Sequence, residues 1–448
     1  MESGMATHPV PDTAATAALT DVQHAIAVLT APADVDASER ELVDTIRALE
    51  DAKAILCAAQ AELSVRLDQA VRTRHEQARI PTARRGRDVA GLIAYARRES
   101  PAKGSRLLGL AHALTEEPHT LAAMRAGVLS EWRAMLISRE TSCLSREARA
   151  VVDTQIAAPA ADGTYPFDGW GDRRLTAETQ KAVYALDPAA VVNRRAKAEA
   201  DRRVSLRPAP DTMAQLSALL PAAQGVAVWA TLTRIADQAR SAGDPRSRGQ
   251  VMADTLVERI TGQTRADAVT VTVNLVISDQ ALLGGGHQPA WLQGYGPIPA
   301  DTIDQQTYAT LRRLYATPAT GALVAMESVA REFPTGLARF LDLRDRTCRT
   351  AYCDAPIRHH DHPHDHATGG PTTGPNGQGL CEHCNHTKQA PGWRARPING
   401  PPHQRHTIET TLPTGHTIRS TAPPTPQPST LQPVSRAEIY LTEIVLAA

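Results

Sequence analysis

Aromatic side chains are scarce in this sequence. They make up 4% of 448 residues, with 3 Phe among them. Cores must then be built from Ala, Leu, Val and Ile, a composition that favours helices. Net charge is also lacking, since 48 Lys and Arg balance 48 Asp and Glu. That balance excludes a uniformly basic coat for nucleic acid and leaves a local basic face open. No apolar run approaches the roughly 18 residues a membrane-spanning helix needs, so no membrane partner is expected. The opening MESGMATHPVPDTAATAALTDVQ has no basic start followed by an apolar stretch. It does not read as a secretory signal, and a cytoplasmic location is expected. Cysteines number 6, too few for the disulfide framework of a small secreted protein. The length allows two or three domains, each with its own core.

What is present is mostly helical pattern. Residues 1–36, rich in Ala, Thr, Pro and Asp without a period, read as a disordered lead-in. The stretch from Ser38 opens with a capping box, Ser38 followed three residues later by Glu41. Leu42, Ile46, Leu49, Leu56, Leu63, Leu67 and Ala70 then form a stripe with a period near 3.5, broken by Lys53 and Gln60. A long helix is expected. Its stripe suits either an ordinary packed helix or the seam of a homodimer through these N-terminal helices. Short amphipathic helices with Gly and Pro breaks are expected over 88–160. Another helix is expected over 175–204, two divided near Pro221, and one after the turn at GDPRS. Cys57 and Cys143 sit alone in Ala/Leu-rich helical pattern and read as thiols without a role.

The period changes to two at Val269, Val271, Val273, Leu275 and Ile277, which predicts a strand near 267–278. GYGPIP (294–299) reads as a rigid turn, followed by a charged helix, and GALVAMES as a short strand. HTIETTLPTGHTIRS reads as a hairpin around Pro413–Gly415. A Pro-rich linker and a short terminal helix follow over 422–448. The resulting division is a lead-in over 1–36, a mainly helical domain over 37–330, a small module over 331–396, a hairpin extension over 397–421, and the tail.

Histidine is concentrated between Cys353 and Lys388. Of 16 His in the chain, those at 359, 360, 362, 364, 366, 383 and 386 fall in this window, where even scatter would give about one. Four cysteines bracket it: Cys348 and Cys353, then Cys381 and Cys384. Two short-range pairs a few tens of residues apart have the spacing of a structural zinc site. The intervening segment is polar and poor in large apolar residues, so a metal clip would supply folding energy that burial cannot. Two disulfides or four idle thiols are the bland alternatives, and His383 or His360 is a possible substitute ligand.

The order RH, then Asp361–His362, Gly369–Gly370, Asn376, Cys381-x-x-Cys384–Asn385 and Lys388 resembles the HNH endonuclease signature. This is the ββα-metal nuclease motif in its zinc-clipped form. The segments GDPRSRGQVMADTLVERI, GYGPIP and the run from Leu311 to His359 extend the likeness. They resemble a bacterial HNH family with a large helical N-terminal domain of unknown function, whose members are associated with mobile elements. The resemblance implies a fold class: a mainly α N-terminal region with a small β element, then a C-terminal zinc-bound ββα-metal nuclease module. It implies DNA as partner, structural Zn on the four cysteines, and a catalytic Mg or Mn ion.

In that reading Asp361 and Asn385 hold the catalytic ion, and His362 takes the proton from water. Asn376, on the second strand, would fix the His362 ring through its other nitrogen or by a backbone link. Lys388, one helical turn after Asn385, would touch a phosphate, with Arg358 and Arg394 as further DNA contacts. A neutral imidazole suits a base at cellular pH, and one carboxylate with an amide oxygen suits a hard, hydrated ion. One departure is that Pro363 follows His362 directly and HDH follows that. His364, Asp365, His366 and His386 therefore stay open as ligands. Arg344, Arg346, Arg349, Arg358, Arg394 and Arg396 serve either phosphate binding or salt bridges to Asp342, Asp345 and Asp354. Trp393 is expected to pack the end of the helix. A non-catalytic zinc-stabilised module for DNA or protein, and a histidine-rich metal buffer, are the competing functions.

Overall fold

The computed structural model describes residues 38–210, 213–265, 332–398 and 405–424, with short pieces at 20–21, 24, 275–276, 290–292, 296–298 and 327–328. Most of the lead-in, the charged segment after 299 and the tail after 424 lie outside these residues. Helix α1 (Glu39–Gln77) begins at the expected capping box. The Ser38 amide donates to Glu41 Oε2 at 2.8 Å, and the Glu41 amide donates to Ser38 Oγ at 3.3 Å. There follow α2 (Val89–Arg97), α3 (Pro101–Leu114), α4 (Pro118–Arg125), α5 (Glu131–Thr141), α6 (Arg146–Ala157), α7 (Asp172–Leu186) and α8 (Pro188–Ala200). Pro188 at the start of α8 divides what the sequence suggests as one helix.

The chain forms two compact units, one of residues 1–67 with 109–190, the other of 68–108 with 191–448. In the first, Leu114, Met124, Leu129, Ile137, Phe167 and Leu175 are buried. Phe167, one of few aromatics, anchors a core otherwise made of Leu, Ile, Val, Ala and Met. A buried carboxylate caps α4. Asp153 accepts from the His119 amide at 2.7 Å and the Thr120 amide at 2.9 Å. Glu117, held by Ser138 and by Thr141 Oγ1 at 2.5 Å, is pushed above the ordinary carboxylate range by burial.

In the second unit, β1 (Arg203–Pro208) and β2 (Ala214–Leu219) pair antiparallel. This corrects the expectation of helix before Pro221, and at the last two residues of the helix expected over 175–204. Val204–Ser205–Leu206–Arg207 and Gln215–Leu216–Ser217 alternate with a period of two, and Pro208 and Pro210 stop any helix between them. Helices α9 (Ala222–Ser241) and α10 (Arg248–Thr261) pack on each other, and α10 has its own capping box from Ser247 and Gln250. The strand near 267–278 is described only as β3 (Leu275–Val276), which pairs with β4 (Ala290–Leu292). GYGPIP contributes β5 (Gly296–Ile298), a strand rather than only a turn, with Pro297 on the sheet edge. Within GALVAMES, β6 (Glu327–Ser328) is a strand.

The C-terminal part of this unit starts with α11 (Thr335–Asp345). The strands β7 (His359–Asp361), β8 (Thr372–Thr373) and β9 (Gln378–Leu380) and the helix α12 (Glu382–Lys388) follow. Strands β7 and β9 pair antiparallel, His360 opposite Gly379, and β8 pairs with β6. A three-stranded sheet closes the part: β10 (Arg394–Ile398), β11 (Thr407–Thr411) and β12 (Thr417–Thr421), in that order, with the expected hairpin between the last two. Few apolar side chains are buried here. Leu337, Leu341, Leu380, Ile408 and Leu412 are the large ones.

Candidate metal centre and adjoining site

Two chain segments deliver the four cysteines. Cys348 and Cys353 lie in a tight knuckle, whose turn places Tyr352 at φ 64° and returns the Cys348 amide to the Ala355 carbonyl at 2.9 Å. Cys381 follows β9 and caps α12, its Sγ accepting from the Cys384 amide at 3.4 Å. All four are buried, none is in a disulfide, and their sulfurs lie within 4.8 Å of one another. Cys353 Sγ and Cys381 Sγ are 3.9 Å apart. A tetrahedron of Zn–S bonds of about 2.3 Å requires sulfurs about 3.8 Å apart, so the donor set fits zinc.

The chemistry of the donors agrees. As bare thiols they oppose one another. The Cys348 sulfur pushes Cys353 and Cys384 up, while hydrogen bonds from Cys348 and its neighbours hold Cys381 down. A dication removes that conflict by letting all four ionise. Among the described residues this is the one group of His, Cys, Asp and Glu that meets as a metal cluster. His383 is exposed and His360 Nε2 bonds Asp342 Oδ1 at 2.8 Å, so neither substitutes for a sulfur.

Beside the sulfur cluster, β7 ends at Asp361 and His362 follows. Asp361 Oδ2 accepts from Gln378 Nε2 at 2.9 Å and from Lys388 Nζ at 2.7 Å, which joins β7, β9 and α12. Lys388 Nζ also donates to the His362 carbonyl and to Asp365 Oδ1, the latter at 3.1 Å. Asn385 lies one turn before Lys388 on α12 and is half-buried. His362 is buried, its Nε2 2.9 Å from Thr372 Oγ1 and its ring 4.4 Å from the Phe333 ring. Burial holds its pKa below the ordinary imidazole value.

Asn376 lies just before β9 rather than on it, and does not touch the His362 ring. Its Oδ1 accepts from the His364 amide at 3.0 Å, and its Nδ2 donates to the carbonyls of His364 at 3.0 Å and Pro371 at 2.8 Å. It braces the loop after His362 through the backbone of His364 and Pro371, and no hydrogen bond joins it to His362 itself. Sequence reasoning missed Thr372, Phe333 and Gln378. Phe333 had a weak signal as one of 3 Phe in the chain. Thr372 and Gln378 had none.

The arginines divide. Arg344 and Arg349 are buried on Asp345, at 2.8 and 3.5 Å, and Arg344 also donates to the carbonyls of Gly374 and Gly377. Arg349 donates to the carbonyls of His406 and Ser420, at 3.2 and 2.5 Å. These two are structural braces. Arg346 donates to the Pro424 carbonyl and Arg396 pairs with Glu409, both at 2.6 Å. Arg358 and Arg394 are exposed. Trp393, expected to pack the end of α12, has its Nε1 3.4 Å from Asp88 Oδ2 and its ring over Gly91 of α2.

A family model described as Domain of unknown function (DUF222) matches residues 30–345. The chain belongs to the DUF222 family. The match runs from before α1 to the end of α11, so the four cysteines and the Asp361–His362 pair lie beyond it. Comparison with curated proteins and with solved structures gives no match. No helix among the described residues is long and apolar enough to cross a membrane.

Proposed function

We propose that this DUF222 protein is a metal-dependent HNH endonuclease that hydrolyses DNA phosphodiester bonds. The likeness of β7, β9 and α12 to the ββα-metal motif belongs to this proposal. Its main support is the setting of His362. The imidazole follows a carboxylate at the end of a strand, is fixed by a hydroxyl, and stands on a loop braced by Asn376, beside a zinc-compatible clip.

The chemistry follows from those contacts. With Nε2 on Thr372 Oγ1, Nδ1 is the nitrogen left to take a proton from water. Burial disfavours the imidazolium, so the ring is neutral and competent as a base at cellular pH. Asp361 and Asn385 would hold a magnesium or manganese ion, which when bound supplies a Lewis acid to the phosphate. The seating of the Lys388 ammonium on Asp361 supports a cation at this place. Arg358 and Arg394 face solvent and would contact phosphates, with Lys388 joining them. Cleavage would leave a 5′-phosphate and a 3′-hydroxyl. Homodimerisation is proposed along α1, where Leu42, Ile46, Leu56 and Leu63 are exposed. Sedimentation of wild type and Leu56→Lys tests that part, and two monomers of equal size would remove it.

The test of the main proposal is plasmid nicking by purified full-length protein with Mg²⁺ or Mn²⁺. Wild type should nick. His362→Ala should lose about 10²–10⁴-fold in rate while keeping its zinc. Equal nicking by both would remove the assigned base. DNA binding without cleavage under any divalent ion would favour the non-catalytic zinc module instead.

A further inference from the structure

The Lys388 ammonium has three N–H donors and no acceptor. All three are spent on Asp361 Oδ2 at 2.7 Å, Asp365 Oδ1 at 3.1 Å and the His362 carbonyl. The lysine is largely buried, 12% exposed at its side chain, against 19% for Asp361 and 66% for Asp365. Three oxygens, two of them carboxylate, thus converge on one positive charge beside the proposed base. All-oxygen donor sets carrying negative charge are what hard divalent ions select. Here an internal cation occupies the set.

We propose that Lys388 keeps the seat of the divalent ion, and that a DNA phosphate opens it by drawing Lys388 away. To Asp361 and Asn385 the seat would add the His362 carbonyl and Asp365, the oxygens that Lys388 now holds. Asp365 is thereby a ligand in addition to the pair that the HNH resemblance implies. The inference rests on the metal-dependent reading of the same site.

The exclusivity is physical. With its donors fully used, the ammonium cannot bond a phosphate without releasing an oxygen. A divalent ion cannot settle on Asp361 with an ammonium already on the same oxygen, because like charges at contact repel strongly in a half-buried site. Phosphate and metal therefore help each other. The phosphate takes the lysine, and the vacated oxygens take the ion. By linkage, metal must strengthen DNA binding by the same factor that DNA strengthens metal binding. The free protein therefore holds its ion weakly.

The test measures Mn²⁺ affinity by calorimetry and by the loss of free-ion paramagnetic resonance signal, on full-length zinc-loaded protein. Wild type, Lys388→Met and Lys388→Gln are compared without DNA and with a short duplex. Zinc content reports that each variant is folded. Wild type should bind Mn²⁺ weakly alone and about tenfold or more tightly with duplex. Both lysine variants should bind tightly without duplex and gain little from it. Adding Asp365→Ala to Lys388→Met should remove the gain. Lysine variants that bind Mn²⁺ no more tightly than wild type overturn the proposal, whatever the nicking result. Tight, lysine-gated binding with no cleavage would keep the gate and remove the nuclease.

Discussion

Asp345 carries two buried guanidiniums and one strand amide. It accepts from Arg344 Nε and from the Gly379 amide, both at 2.8 Å, and lies 3.5 Å from Arg349 Nε. Asp345→Ala would leave both arginines buried without a counter-charge, a cost of about 3–5 kcal/mol, read as a lower midpoint in urea. His406 sits against the same group. Its Nε2 donates to the Pro375 carbonyl at 2.8 Å, and burial, with Arg344 next, holds its pKa down to about 4. Between about 6.5 and about 4, the unfolded chain takes up a proton that the folded chain refuses. The stabilisation is therefore complete above about 6.5 and is lost as pH falls toward about 4, with a slope of at most about 1.4 kcal/mol per pH unit. His406→Gln should flatten that part of the stability–pH curve by up to one proton. An unchanged slope would place the ring outside the linkage. At this scale the sequence was legible where residue type limits the chemistry. Four cysteines in two close pairs have few uses, and they do meet. Arg344 and Arg349 were ambiguous because an arginine that binds phosphate and one that braces a loop look alike until burial is known. Thr372 was invisible, since a hydroxyl becomes informative only when its partner is found.

Elements show the same division. The capping boxes at Ser38 and Ser247 are local, set by side chains three residues apart, and the first was readable at once. Ser247→Ala should cost about 1 kcal/mol, measurable by thermal unfolding, because the Gln250 amide loses its acceptor. β1 and β2 were missed because the helical pattern flanking them outweighed a period of two in segments only 6 residues long. Their partner is each other, and that information is not local. The loop between β7 and β8 depends on Gly370, where an added Cβ would collide with the His364 backbone carbonyl and crowd Asn376 Nδ2. Gly370→Ala should shift the loop that carries His362 while leaving the four sulfurs in place. The expected outcome is reduced nicking with zinc content unchanged. Full activity would show that the brace around Asn376 is dispensable.

At the scale of the whole molecule, the two units draw stability from different sources. The first has a core of Leu, Ile, Met and Phe167 typical of a helical domain. The C-terminal part of the second buries few large apolar side chains, and its sulfurs form a small cluster of their own with Leu380 and Ala355. Hydrophobic burial there is too small to fix β7, β9 and α12 without help. Removing the metal should therefore expose 345–424 to protease while leaving the first unit's helical signal. Uniform resistance after chelation would contradict that division. The most direct measurement is metal content by mass spectrometry of the full-length protein purified without added metal, beside Cys381→Ser with Cys384→Ser. One tightly held zinc per chain is expected, lost in the double variant together with the fold of residues 345–398. A well-folded protein with no zinc, or with zinc unaffected by those substitutions, would contradict the account.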